Sequence, residues 1–236
     1  MNSNYKTFII SRTDKIGDVV LTLPLATFLK NKFTDSKVIF ICSSYTKSIV
    51  NCCSDVDEII EKDKLMSLSQ TDRINYFMSL NADVFFNVFP DKDIAFLAFK
   101  SKVPVRIGTS HKFFHLLYCN FTVNFSRKNS DLHESQLNFK LLSPLGFKNV
   151  PKLSEISLML NFQNFYPKIN ESFNFIDATR INIIFHPMSN GSAVEWPMRD
   201  YVSLCNLLSE KHFNVIFAGV AKDKEMYEVY LKGIKR

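Results

Sequence analysis

The sequence lacks the short motifs that most directly assign a chemistry. It has no CxxC pair, and its five cysteines (Cys42, Cys52, Cys53, Cys119, Cys205) form an odd, irregularly spaced set. That usage argues against a disulfide framework or a zinc site and for a reducing, cytoplasmic setting. No uninterrupted apolar run approaches the ~20 residues of a membrane-spanning helix, and the amino terminus carries one apolar strand in place of a signal-peptide pattern. No GxGxxG follows the first strand, no GxSxG elbow is present, and His111, His115 and His133 do not have HExxH-type spacing. There is one Trp against 23 Phe, and no Lys/Arg run is interleaved with aromatics. Phe and Met are therefore read as core filling, and a nucleic-acid platform is excluded.

What the chain does have is core material and positive charge. With 236 residues and 46% hydrophobic content, it can bury one large core or two smaller ones. Its net charge of +6 and pI near 9.0 favour an anionic partner, with phosphorylated substrates or an acidic membrane surface preferred over nucleic acid. Short β-branched and aromatic runs at 7–11, 37–42, 57–60, 84–88 and 105–107 predict strands, and helices are expected between them at 19–32, 45–51, 70–80 and 93–100. Such alternation predicts a doubly wound parallel sheet, an α/β fold. A helical segment is expected over 133–145, ended by Gly146, and a strand over 155–162. Residues 163–180 are read as the connection to a second strand-loop-helix unit: strand 181–185, loop 187–197, helix 198–208, strand 215–218 and helix 222–232.

Ligands of such sheets lie beyond the carboxyl ends of the strands, where helix amino termini expose N–H groups. Two loops occupy that position, residues 12–18 and 187–196. In the first, Arg12 and Lys15 bring positive charge, Gly17 permits close approach and Asp18 offers a carboxylate. The plain alternative is a turn at Gly17 and a helix cap at Asp18. In the second, the Ser189-Asn190-Gly191-Ser192 loop either holds a phosphate or simply caps a helix. The Asp91-Lys92-Asp93 stretch is read as a helix start in preference to a carboxylate metal motif, and no metal is expected.

Four stretches, "RTDKIGDVVLTLP" (12–24), "RIG" (106–108), "HESQLNFKLLSPLG" (133–146) and "HPMSNGSAVEWPMRDYVSLCNLL" (186–208), together resemble glycosyltransferase family 9, the lipopolysaccharide heptosyltransferases. The resemblance implies a GT-B architecture: an acceptor-side Rossmann-like domain at 1–165, a connection at 166–180 and a partial donor-side domain at 181–236. It further implies metal-independent, inverting transfer of heptose or a related sugar from an ADP-heptose-like nucleotide sugar to a hydroxyl of the anionic lipopolysaccharide inner core, without a cofactor. Peripheral contact with the cytoplasmic face of the inner membrane goes with that acceptor. By the same resemblance, Asp18 is the general base, and Arg12, Thr13, Lys15 and Gly17 form the acceptor loop. Ser189, Asn190, Gly191, Ser192 and Trp196 stand on the donor side. The chain departs from the pattern at Val194-Glu195, where family members often carry Lys or Arg before the Trp-Pro pair. It also shows no counterpart, after Gly219, of the family's later donor block. The expectation is a chain shortened at its carboxyl end, with an impaired derivative that keeps acceptor binding or needs a partner fragment as the second reading.

Overall fold

The computed structural model describes residues 5–127, 129–163, 174–189 and 193–234. Its contacts divide the chain into two units, Met1–Phe165 and Tyr166–Arg236, and each is described by itself.

The first unit is a parallel six-stranded sheet formed by β1 (Thr7–Ser11), β2 (Lys37–Cys42), β3 (Glu58–Glu61), β4 (Val84–Asn87), β5 (Val105–Thr109) and β6 (Phe121–Val123), in the order β3-β2-β1-β4-β5-β6. Alternation along the strands divides the apolar side chains between two faces. Phe8, Ile10, Phe40 and Phe86 enter one core, and Ile9, Ile39, Ile41 and Phe85 enter the other. On the first face lie α1 (Ile16–Val20), α2 (Pro24–Lys32), α3 (Lys47–Val50), α8 (Glu134–Lys140) and α9 (Leu153–Ser157). On the second lie α4 (Lys62–Ser67), α5 (Gln70–Ser79) and α6 (Lys92–Lys100). A short helix, α7 (Phe113–Tyr118), joins β5 to the edge strand β6. With both faces covered, the near-continuous apolar strands are what a parallel sheet requires. The order reverses between β1 and β4, so the crevice of the fold opens at their carboxyl ends.

Several elements differ from the sequence reading. The helix expected over 19–32 is two helices. Pro24 has no N–H and cannot continue α1, so the chain turns through short-range bonds from Leu25 N to Thr22 O (3.0 Å) and from Ala26 N to Leu23 O (2.8 Å). The strand expected over 155–162 is instead α9 followed by irregular chain. Lys152 N–H donates to Glu155 Oε2 at 2.7 Å, which starts a helical turn, and Leu158 is left 86% exposed. All that remains of the expected strand is an isolated antiparallel bridge between Phe162 and Cys53. Helices α4 and α7 and strand β6 were not anticipated: each is six residues or fewer, too short for a periodic signal to emerge.

In the second unit, β7 (Ile181–Phe185) pairs in parallel with β8 (Phe213–Phe217), and α10 (Met198–Leu207) and α11 (Lys224–Leu231) follow the two strands. Most of the connection expected over 166–180 lies outside the described residues. Aromatic rings make up much of the interior: Phe185 and Phe217 meet edge to face at 5.5 Å, Tyr201 stands 5.3 Å from Phe185, and Phe217 stands 5.9 Å from Tyr227. The strands are thinly covered, with Ile181 and Ile184 61% and 64% exposed.

Candidate active site

The loop after β1 enters the crevice at the point of strand reversal. Arg12 N–H still pairs with Ile41 O at 3.0 Å, which extends the strand pairing and turns the Arg12 side chain into the unit, where the residue is 3% exposed. Its guanidinium meets three carboxylates. Asp14 takes it in bidentate fashion, with Nε to Oδ1 at 2.7 Å and Nη2 to Oδ2 at 3.0 Å. Asp18 Oδ1 lies 2.9 Å from Nη2, and Glu134 Oε1 lies 3.0 Å from Nη1. Burial works against the charge of Arg12, but Asp14, Asp18 and Glu134 outweigh it and hold its pKa above the usual value. Burial also raises the Asp14 carboxyl, against the opposing pull of Arg12. Among the three carboxylates the Asp18 side chain is the most open, 34% exposed against 17% for Asp14 and 21% for Glu134.

Both parts of the turn-and-cap reading are corrected by this geometry. Lys15, extended and exposed, occupies the N-cap of α1, and Gly17 and Asp18 stand in its first turn. A methyl group added at Gly17 would meet nothing within 4 Å, so no protein neighbour requires glycine there. Thr13 does not face Arg12's carboxylates. Its hydroxyl donates to Asp91 Oδ2 at 3.2 Å, and Lys62 Nζ lies 2.5 Å from the same oxygen. Asp91 also caps α6 by accepting from the N–H groups of Asp93 and Ile94, as the helix-start reading of that stretch requires.

The stretch at 133–146 supports the loop from the side. His133 caps α8, accepting from Ser135 N at 3.3 Å, while its own N–H donates to Gln136 Oε1 at 3.2 Å. Glu134 then reaches Arg12 and also Arg127, whose Nε lies 2.9 Å from Oε1. One turn further along, Asn138 Nδ2 donates to Leu21 O at 3.1 Å and contacts Thr22 Oγ1 at 3.2 Å. Leu25 N–H bonds to Thr22 O and not to Leu21 O, so Asn138 satisfies a carbonyl that the break between α1 and α2 leaves open. Two stretches about 120 residues apart thus meet at an ion pair and at a capped carbonyl. Glu134, Arg127 and Asp14 carry no role in the sequence reading, and Asp91 is read there only as a helix start. Asp14 and Glu134 lie inside the stretches at 12–24 and 133–146, but their joint hold on the Arg12 guanidinium, and the contact of Arg127 with Glu134, exist only in three dimensions.

The "RIG" stretch is accounted for by packing. A Cβ on Gly108 would stand 2.8 Å from the His115 ring. His115 is fully buried, with Nε2 3.0 Å from Asn87 Nδ2 and Nδ1 3.0 Å from Thr109 N; burial pushes its pKa down. Arg106 donates through Nε to Tyr118 O at 2.7 Å. The thiols of Cys42 and Cys119 are equally inert. Burial pushes Cys42 up to about 11 and Cys119 up to about 12, so both stay protonated near neutrality.

In the second unit, Asn190, Gly191 and Ser192 lie outside the described residues. Ser189 follows β7, and its N–H and Oγ stand 2.6 and 3.0 Å from Glu195 Oε1. The residue that departs from the Lys/Arg pattern therefore places its own carboxylate on the loop. Trp196 packs edge to face with Tyr201 at 4.8 Å and is 47% exposed.

A family model described as Glycosyltransferase family 9 (heptosyltransferase) matches residues 83–235. The chain belongs to that family. A Haemophilus influenzae relative named "Putative glycosyltransferase" is 26% identical over 230 residues, a match covering 94% of this chain and 66% of the relative. Among solved structures, the family 9 glycosyl transferase of Veillonella parvula superposes with a TM-score of 0.72 at 19% identity, covering 99% of this chain and 69% of that one. The E. coli heptosyltransferase WaaC with ADP does so with 0.68 at 14%, covering 97% and 72%. The E. coli ADP-heptose heptosyltransferase II gives 0.70 at 16%, covering 98% and 69%. This family 9 chain thus has the expected α/β fold of GT-B type and spans about two thirds of the length of these relatives. The family match begins in the sequence leading into β4 and takes in α8 and the second unit; the loop at 12–18 precedes it.

Proposed function

We propose that this family 9 chain takes part in the metal-independent, inverting transfer of a heptose or related sugar from an ADP-heptose-like donor to a hydroxyl of an anionic acceptor of lipopolysaccharide-core type. Residues 1–165 form the acceptor side and residues 181–236 part of the donor side. The observation that carries the reading is the open carboxylate of Asp18, held by buried Arg12 at the crevice of the sheet. Asp18 accepts the proton of the acceptor hydroxyl as that oxygen bonds to the anomeric carbon. The bond from that carbon to the nucleotide diphosphate breaks on the opposite face, which inverts the configuration. Arg12 holds Asp18 in place, and exposed Lys15 meets anionic groups of the acceptor. On the donor side, Trp196 and the loop beginning at Ser189 face the nucleotide sugar. The two E. coli enzymes, one solved with ADP and one described as an ADP-heptose heptosyltransferase, support the choice of donor.

Asp18→Asn tests the assignment. The amide oxygen still accepts from Arg12, but the side chain cannot take a proton. Turnover with ADP-heptose and a core oligosaccharide is expected to fall by about 10²–10⁴-fold, with KM and the unfolding midpoint little changed. Wild-type kcat in this variant would remove Asp18 from the role of base.

A further inference from the structure

The turn that follows β4 is held at its backbone from both ends. Val88 and Phe89 both donate their N–H groups to Ser11 O, at 3.1 and 3.3 Å. Asn87 brackets the turn: its Nδ2 donates to Asp91 O at 3.0 Å, and its Oδ1 accepts from Asp91 N at 3.3 Å. Pro90 fixes φ between them. Asn87, Val88 and Asp91 are buried, yet Phe89 is 36% exposed at the carboxyl end of the strand. A single exposed apolar residue is ordinary on a protein surface. Phe89 differs in what its turn is tied to.

Two ties join that turn to the loop carrying Asp18. On one side Arg127 Nη2 donates to Val88 O at 3.1 Å, while its Nε lies 2.9 Å from Glu134 Oε1. Glu134 Oε1 lies 3.0 Å from Arg12 Nη1, and Arg12 Nη2 lies 2.9 Å from Asp18 Oδ1. On the other side the Thr13 hydroxyl donates to Asp91 Oδ2 at 3.2 Å. Phe89 stands between Val88 and Asp91, the two tied positions, at the place where the strand order reverses. An aromatic ring left open to water on a fixed turn adds little to the stability of the fold. It suits a ligand with a polar rim and an apolar face, and a pyranose ring is built that way, with hydroxyls around its edge and C–H groups on its faces.

We propose that Phe89 is a binding and specificity residue for the acceptor: its ring carries a C–H face of the acceptor sugar while the reacting hydroxyl turns to Asp18. The inference rests on the acceptor reading of residues 1–165. Selectivity follows from the contact. A sugar whose face is unbroken by hydroxyls seats on the ring, whereas an epimer with a hydroxyl on that face sets a polar group against carbon without a hydrogen-bond partner.

Calorimetric titration of the full chain with a lipopolysaccharide-core oligosaccharide reads this binding directly, whether or not Asp18 is the base. Phe89→Ala is expected to weaken binding at least about tenfold, and Phe89→Tyr, which keeps the ring, to stay within about threefold of wild type. Thermal unfolding checks that both variants fold. Should Phe89→Ala unfold early, Phe89→Leu keeps the bulk without the ring and should show the same loss. In turnover, the KM of Phe89→Ala for the acceptor should rise by more than its kcat falls. Wild-type affinity in a folded Phe89→Ala or Phe89→Leu, or equal losses in Phe89→Ala and Phe89→Tyr, would overturn the proposal and leave the acceptor reading in place. A wild-type chain that does not bind the oligosaccharide would remove that reading and the proposal together.

Discussion

Buried beneath the first loop, Arg12 spreads one positive charge over Asp14, Asp18 and Glu134. A bidentate grip on Asp14 with further bonds to two other carboxylates needs the planar fork of a guanidinium, and the single ammonium of a lysine could not reproduce it. Deleting the charge would leave the part-buried carboxylates of Asp14 and Asp18 without this partner, a loss of about 1–3 kcal/mol. On the proposed reading Arg12 is a positioning residue, with Asp18 and Lys15 left to face the acceptor. Gly17 belongs to the same scale. It stands exposed in the first turn of α1 with open space where a Cβ would be, and on helix propensity alone alanine would be better there. Gly17→Ala is expected to stabilise the protein by about 0.5–1 kcal/mol in urea titration while weakening acceptor binding, because the methyl group intrudes where substrate must approach. Unchanged acceptor affinity in calorimetry would place the acceptor elsewhere.

Among the elements, α7 and β5 carry a pH dependence. His115 is fully buried against Gly108, between Asn87 and Thr109, and burial lowers its pKa below the usual value. The folded form therefore holds the ring neutral under conditions in which the unfolded chain protonates it. With an unfolded pKa near ~6.5, this contribution to stability is complete above that pH and is lost as pH falls through the window below it, at a slope of up to about 1.4 kcal/mol per pH unit. His115→Gln keeps hydrogen-bonding groups but no titration, and should flatten the loss between about pH 6.5 and 5 relative to wild type. Urea unfolding of both proteins at three pH values measures the difference, and parallel curves would show that His115 does not titrate on unfolding. Elsewhere, element identity depended on single residues. Pro24 split one anticipated helix into α1 and α2, and Glu155 converted an anticipated strand into α9.

At the scale of the molecule, the two units differ in how fully their strands are covered. Phe8, Ile9 and Ile10 of β1 are fully buried between two helical layers, whereas Ile181 and Ile184 of β7 are more than half exposed. Few buried contacts imply opening at low free energy. Amides of Ile183 and Ile184 are expected to exchange far faster than those of Phe8, Ile9 and Ile10, with a protection gap of several kcal/mol in a protein of ordinary stability. Added ADP should narrow the gap if the second unit binds it, since a ligand that binds only the closed form stabilises that form. Equal protection in a monodisperse monomer without nucleotide would show that the β7–β8 unit stands on its own.

The sequence by itself determined the parallel sheet, because runs such as Phe8-Ile9-Ile10 and Val38-Ile39-Phe40-Ile41 are apolar on both faces and only a doubly covered strand can bury them. It also determined that the loops at 12–18 and 187–196 follow strands, and through four short stretches it pointed to the family. Tertiary structure alone decided what those residues do. That Arg12 looks inward to Glu134, that Asn138 satisfies Leu21 and that Gly108 makes room for His115 all depend on groups brought together by the fold. Periodicity reports which side of an element is apolar. Partnership across 100 residues is set by packing, where a buried charge or carbonyl must find its complement, and no local pattern encodes which one it finds.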